Sequence, residues 1–315
     1  MQKLIILALV GLAAQLVDGG LGMGYGVTSS SLLLAVGLTP AMASASVHLA
    51  EMGTTLASGA SHWRLGNLDW KLVGRLGVPG AIGAFLGATV LSNVSTDFAQ
   101  YGMAVILGLL GAYIITRFAF RPPAVSDVRV SPHRARLLAP LGLLGGFVDA
   151  TGGGGWGPVT TTTLLSAAKT APRTIIGSVS ASEFLVSTAA SVGFIVALGS
   201  AGIDFSIVLA LLTGGIIAAP LAAWLVSRVP ARVLGVAVGG LIIITNVRTL
   251  FKAGQIQGVQ AAVGFGFVAA VWVSLLVWSI YLHRVQTRGA TSEVDGTPTV
   301  LTANEVADEA AASKV

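Results

Sequence analysis

Seven stretches of the chain, at about 42–61, 71–92, 99–118, 174–198, 205–226, 232–251 and 261–282, stay apolar for some 20 residues or more. At about 1.5 Å per residue, each makes a helix long enough to cross a hydrocarbon layer about 30 Å thick. The composition agrees, with 54% hydrophobic and 10% charged residues and a mean hydropathy of +0.85. Soluble proteins carry roughly 25% charged residues. The 41 glycines suit transmembrane helices that approach closely. A net charge of +5 does not point to nucleic acid, because the basic residues lie in short loops between apolar runs and form no basic face. The predicted partner is the bilayer itself. With no cysteine in the chain, disulfides and thiolate metal sites are excluded.

Two segments differ from the rest. Residues 4–38 and 137–168 each hold two short apolar runs separated by a glycine cluster. A run of about 13 residues makes a helix of only about 20 Å, so each run reaches partway through a bilayer. The opening run also has the outline of a signal peptide, but its pattern recurs in mid-chain, which assigns it to the fold.

That recurrence is an internal repeat. The segment Asp18-Gly19-Gly20-Leu21-Gly22-Met23-Gly24-Tyr25-Gly26 matches Asp149-Ala150-Thr151-Gly152-Gly153-Gly154-Gly155-Trp156-Gly157. Ser46-Val47-His48-Leu49-Ala50-Glu51 matches Ser178-Val179-Ser180-Ala181-Ser182-Glu183, and Leu68-Asp69-Trp70 matches Ile203-Asp204-Phe205. The predicted fold is an all-α membrane protein of two pseudo-symmetric repeats. Each repeat has a broken or re-entrant helix pair and three transmembrane helices, and one further transmembrane helix follows at the C-terminal end. The expected units are a first repeat at 1–118, a basic linker at 119–136, a second repeat at 137–252, a final helix at 253–282 and a disordered polar tail at 283–315.

Three full spans per repeat would invert the second copy relative to the first, an arrangement found in many secondary transporters. The linker carries Arg117, Arg121, Arg129, Arg134 and Arg136 and is expected on the cytoplasmic side. Arg64, Lys71, Lys169, Arg173, Arg228, Arg232, Arg284 and Arg288 then fall on the same side, whereas Lys3, Arg248 and Lys252 fall outside, against the rule. If the broken segments span instead, the repeats are parallel and more basic loops break it.

Hydroxyl-rich sequence follows each glycine cluster: Thr28-Ser29-Ser30-Ser31 and Thr160-Thr161-Thr162-Thr163. Gly157-Pro158 marks a helix start, since proline is favoured at the first helical position. Two half-helices beginning at mid-bilayer would aim free N–H groups and positive dipole ends at one shared cavity, an anion site. The candidate substrate-binding residues are Gly24, Tyr25, Thr28, Ser29, Ser30, Gly155, Trp156, Gly157, Thr160 and Thr161, with His48 and its counterpart Ser180. Close helix crossing is the other reading of the glycines, and aromatic packing the other reading of Tyr25 and Trp156.

Glu51 and Glu183 hold matching places within apolar spans, where a charge costs about 2.5–3.5 kcal/mol to insert. They are candidate proton carriers, or protonated structural hydrogen-bonders. His48, one turn from Glu51, could relay protons, bind the anion or simply pack. Asp18 and Asp149 stand at the C-terminal ends of the first half-helices, where a carboxylate is disfavoured. They either lock the glycine turn or carry a proton or cation. Arg64 and Arg173 are candidate substrate contacts, with topology signals as the other reading. Gly152-x-Gly154-x-x-Gly157 fits a dinucleotide fingerprint formally but follows no strand. No catalytic residue, metal site or cofactor is expected, because neither a Gly-x-Ser-x-Gly elbow nor a His-Glu-x-x-His motif occurs.

The two Asp-Gly motifs, each followed by Ser/Thr, together with Ser-Val-His-x-x-Glu at 46–51 and Ser-Val-Ser-x-x-Glu at 178–183, resemble the TauE/SafE sulfite exporter family over about residues 4–282. The resemblance implies a polytopic inner-membrane exporter of sulfite, organosulfonates or related sulfur anions, driven by an ion gradient. The function expected is therefore a proton-coupled secondary transporter for a small sulfur-containing anion. The alternatives are a passive anion channel, or a cation carrier using Asp18 and Asp149.

Overall fold

The computed structural model describes residues 2–21, 23–120, 135–167, 170–199, 203–226 and 230–295. Linker residues 121–134, with Arg121, Arg129 and Arg134, lie outside that set, as do Lys169, Arg228 and the tail from 296. The helices are α1 (Gln2–Leu21), α2 (Tyr25–Ala35), α3 (Pro40–Arg64), α4 (Trp70–Asn93), α5 (Thr96–Phe120) and α6 (Ala135–Gly152). A π-helical turn, Gly157–Thr161, runs into α7 (Thr162–Ser166). Then come α8 (Pro172–Leu198), α9 (Phe205–Val226), α10 (Ala231–Ala253) and α11 (Gly258–Asp295). Among the described residues, five helical segments are long and apolar enough to cross a membrane: α4, α5, α8, Arg232–Lys252 of α10 and Gly258–Val285 of α11. The 25-residue α3 buries Ser44, Ser46, His48, Glu51 and Thr55 along its inner face.

Each chain break falls where the glycine clusters predict, but the helices before the breaks are longer than expected. α1 has 20 residues and α6 has 18, so Asp18 and Asp149 lie three residues before the helix ends. Gly24, with φ 118°, makes the first turn, and Gly154, with φ 149°, the second. These are backbone conformations a side chain rarely tolerates.

Packing is reciprocal between the two sets of five elements. α1 lies on α9, and α6 lies on α4. Gly142, Gly146 and Ala150 of α6 follow Leu76, Gly80 and Gly87 of α4 in the same order, so these two helices run parallel. α5 and α10 form an antiparallel pair, with Gly111 set against Gly239 and Gly235 against Phe118. α3 packs on α8. The third repeat match is a pair of helix caps. Asp69 accepts the Lys71 and Leu72 N–H groups, and Asp204 accepts the Ser206 N–H at 2.9 Å. Side chains of this type satisfy the free donors that open a helix. The Ser206 hydroxyl and N–H hold the exposed Asp204 carboxyl below the usual carboxylate range, and Lys3 stands close enough to add to the effect. The start of α1 is therefore level with the start of α9.

Two boundaries differ from expectation. Arg117 is buried in the last turn of α5, within the first unit, where the helix dipole favours a cation. Arg136 belongs to the first turn of α6. α11 continues through His283 to Asp295, so the first part of the polar segment expected to be disordered is helical. Gly296 and Pro298 are the first helix breakers after Gly289. α11 packs on α10, where the Trp272 indole N–H donates to the Val236 carbonyl at 3.0 Å. Its Val259, Phe267 and Tyr281 remain exposed.

Candidate functional site

The two breaks are built alike. An aspartate near the end of the first helix reaches over the glycines to the helix that follows. Asp18 Oδ1 accepts the Tyr25 N–H at 3.4 Å, and Asp149 Oδ1 accepts the Trp156 N–H at 2.9 Å. The first N–H groups of a helix have no partner within it, and a carboxylate there is stabilised by the dipole. The aspartates thus oppose the dipole of one helix while capping the next.

The breaks also touch one another. A Cβ built on Gly26 would stand 2.6 Å from the Gly154 Cα, and one on Gly157 would stand 2.8 Å from the Met23 Cβ. The start of each second half-helix therefore abuts the break of the other repeat. The Ser30 hydroxyl donates to the Gly153 carbonyl across this junction. Residues 23–31 and 151–158 are all buried. The half-helix starts meet by direct backbone contact, because glycine leaves room for the main chains to approach.

Most of the candidate hydroxyls are already engaged. Ser29 donates to the Tyr25 carbonyl and Thr160 to the Trp156 carbonyl, each at 2.5 Å. Thr28 Oγ1 and Thr161 Oγ1 are buried and have no hydrogen-bond partner among the described residues. Of the aromatics, the Tyr25 hydroxyl points to the Leu211 carbonyl at 3.5 Å, and the Trp156 indole N–H donates to the Val179 carbonyl at 3.2 Å. The Trp156 ring fills the space beside Gly80, where a Cβ would lie 2.5 Å from it. Ser180, half-buried, donates to Ser58 of α3 at 2.8 Å and is turned away from the breaks.

Charge is gathered at the same place. Glu51 is 2% exposed, and its Oε1 would lie 2.9 Å from a Cβ on Gly26, so the carboxyl rests against the first turn of α2. Its Oε2 has no hydrogen-bond partner among the described residues. Glu51 lies within electrostatic reach of Asp149, Glu183 and Asp18, and Glu183 within reach of both aspartates. His48 joins the repeats: Nε2 is 3.1 Å from Asp149 Oδ2, and Nδ1 is 2.7 Å from the Ser44 carbonyl. A carbonyl only accepts, so the contact with Ser44 suits the tautomer with a hydrogen on Nδ1. His48, Glu51 and Asp149 offer donor atoms within 4.8 Å of one another, compact enough to share a proton or a small cation.

Sequence reading missed the residues that anchor this core. The Ser44 hydroxyl donates to the Ala150 carbonyl at 2.7 Å, and its place one turn before His48 was the available signal. Asn246 of α10 donates to Ser31 at 2.8 Å. In the other repeat, Thr162 donates to the Tyr113 hydroxyl of α5 at 2.7 Å. A lone amide in an apolar span pointed to Asn246, whereas nothing in the sequence distinguished Tyr113.

The model of the sulfite exporter TauE/SafE family matches residues 7–249. The chain is similar to the probable membrane transporter protein YtnM of Bacillus subtilis (strain 168), with 48% identity over 279 residues, 88% of this chain and 93% of the relative. It is also similar to the probable membrane transporter protein YdhB of the same organism, with 29% identity over 161 residues, 50% of this chain and 63% of that protein. No solved structure gives a significant match. With its apolar helices, the chain is a multi-pass cell-membrane transporter and not an enzyme. It belongs to the sulfite exporter TauE/SafE family.

Proposed function

We propose that the protein exports a small sulfur-containing anion, sulfite or an organosulfonate, through the junction of the two helix breaks, with transport coupled to protons. The observation that carries this reading is the seat of the Glu51 carboxyl against the first turn of α2. A helix start favours one negative charge, through its free N–H groups and its dipole. Glu51 and a substrate oxyanion would compete for that seat, so the anion enters when Glu51 is protonated and leaves when its charge returns. Thr28 and Thr161, buried and unpartnered, are the hydroxyls left for the substrate. Glu183 and the His48–Asp149 pair are the neighbouring groups between which a proton can pass.

The repeats are inverted in this reading. Each hairpin enters from one face and returns to it, as the antiparallel courses of α5 and α10 and the level starts of α1 and α9 support. The basic linker then faces the cytoplasm, with residues 1–118 and 137–252 as the two halves and 253–282 as an added lipid-facing helix. The Asp18 and Asp149 caps favour a structural role for these carboxylates over that of cation ligands.

Proteoliposomes loaded with sulfite test the coupling. Glu51→Gln should lose accumulation driven by a pH gradient while retaining exchange of sulfite for sulfite. Accumulation equal to that of the unaltered protein would remove Glu51 from the mechanism and favour a channel.

A further inference from the structure

Arg248 and Lys252 are two of the three basic residues whose expected side of the membrane conflicts with the positive-inside rule, and the fold puts both beside one cavity. The cavity measures about 220 Å³, and its polar lining is Arg248, Lys252, Thr249, Thr39, Thr96 and Gln100. No carboxylate lines it, although Asp97 follows Thr96 in the first turn of α5. Among the described residues, neither Arg248 nor Lys252 has a carboxylate oxygen within 4.0 Å. The two stand four residues apart on α10, a spacing at which like charges repel.

A simpler purpose would be to neutralise helix C-termini, since α2 and α10 both end here. Those ends are already closed by main-chain bonds. At α2, Gly37 N–H donates to the Leu34 carbonyl and Leu38 N–H to the Leu33 carbonyl, each at 3.0 Å. At α10, Gly254 N–H donates to Leu250 and Ile256 N–H to Phe251, each at 2.8 Å. Two unpaired cations among hydroxyl and amide donors suit an anion. A polar track also leads inward from the cavity. Thr249 is 7% exposed; Asn246 lies one turn deeper, with its Oδ1 unpartnered, and is bonded to Ser31, one turn along α2 from the unpartnered Thr28.

We propose that Arg248 and Lys252, with Thr249, Thr96 and Gln100, form an oxyanion-binding vestibule at the exit of the transport route. This rests on the transport reading above for its role, but not for its chemistry. In that topology the vestibule opens on the side away from the basic linker, where exported anion is released.

The absence of native cysteine makes the test direct, because Lys252→Cys introduces a single thiol. The probe is methanesulfonate, which does not react with thiols, with chloride as the control at equal ionic strength. Millimolar methanesulfonate should slow modification of Lys252→Cys by a cationic methanethiosulfonate reagent at least fivefold, and adding Arg248→Gln should remove that protection. Equal rates in both salts would overturn the proposal. Sulfite counterflow supplies the second arm. Arg248→Gln/Lys252→Gln should raise KM about tenfold on the vestibule face and less than twofold on the other, with monodisperse elution as the check on folding. In Arg248→Gln/Lys252→Cys, a cationic thiol reagent should lower the raised KM and an anionic one should not. Equal responses to the two reagents would also overturn the proposal. Protection without any sulfite exchange would leave the vestibule standing and refute the transport reading; exchange without protection would do the reverse.

Discussion

Gly26 and Gly154 meet main chain to main chain, with a Cβ on the first falling 2.6 Å from the Cα of the second. One residue opens α2, the other forms the break before α7, and they come from different repeats. Gly154→Ala should therefore cost about 1–3 kcal/mol in backbone strain alone, with steric overlap added. Thermal unfolding in detergent should show a clear loss, or no folded protein at all. Gly102→Ala, at a helical glycine with nothing within 4 Å, should leave the transition in place.

The aspartate caps differ in strength. Asp149→Ala strands the buried Trp156 N–H and the His48 imidazole, and loss of a buried partner costs about 1–3 kcal/mol. Asp18→Ala removes a single bond of 3.4 Å and should cost less. Thermal midpoints of the two variants check the order, and a larger drop for Asp18→Ala would count against it.

Hydroxyls at the junction divide into engaged and open. Thr28→Val and Thr161→Val keep shape and remove the unpartnered hydroxyls, so each should raise the KM for sulfite about tenfold. Ser29→Ala removes a hydroxyl committed to the Tyr25 carbonyl and should change KM less than twofold. Uptake kinetics in proteoliposomes separate the two classes.

Asp204 gives a prediction in pH. Its carboxyl is held below the usual range by Ser206, so the cap stabilises the fold when ionised. That contribution is present above the unfolded value of about 4 and is lost as pH falls through the lower folded value. The thermal midpoint of Asp204→Ala should trail that of the unaltered protein at pH 7, and the gap should close below about pH 4. A gap that persists in acid would mean that the carboxylate is not the cap.

Helices and breaks were legible in the sequence because lipid imposes length and glycine imposes interruption. The repeat match at Asp69 and Asp204 had a physical basis, since both residues cap helices. What was illegible depended on contact between halves. His48 facing Asp149, Asn246 bonding Ser31 and the closed meeting of Gly26 with Gly154 join residues more than 100 positions apart. Periodicity within one helix carries no record of such pairs. The same limit hid that the Ser29, Ser30 and Thr160 hydroxyls donate to carbonyls.

A structure of the protein in nanodiscs with selenite, a heavier relative of sulfite, tests the central claim most directly. Anomalous density should lie within hydrogen-bond reach of the Gly26 and Val27 N–H groups and of Thr28 or Thr161, with the Glu51 carboxyl displaced from α2. Selenite bound only elsewhere, while Glu51 keeps its seat, would contradict the account.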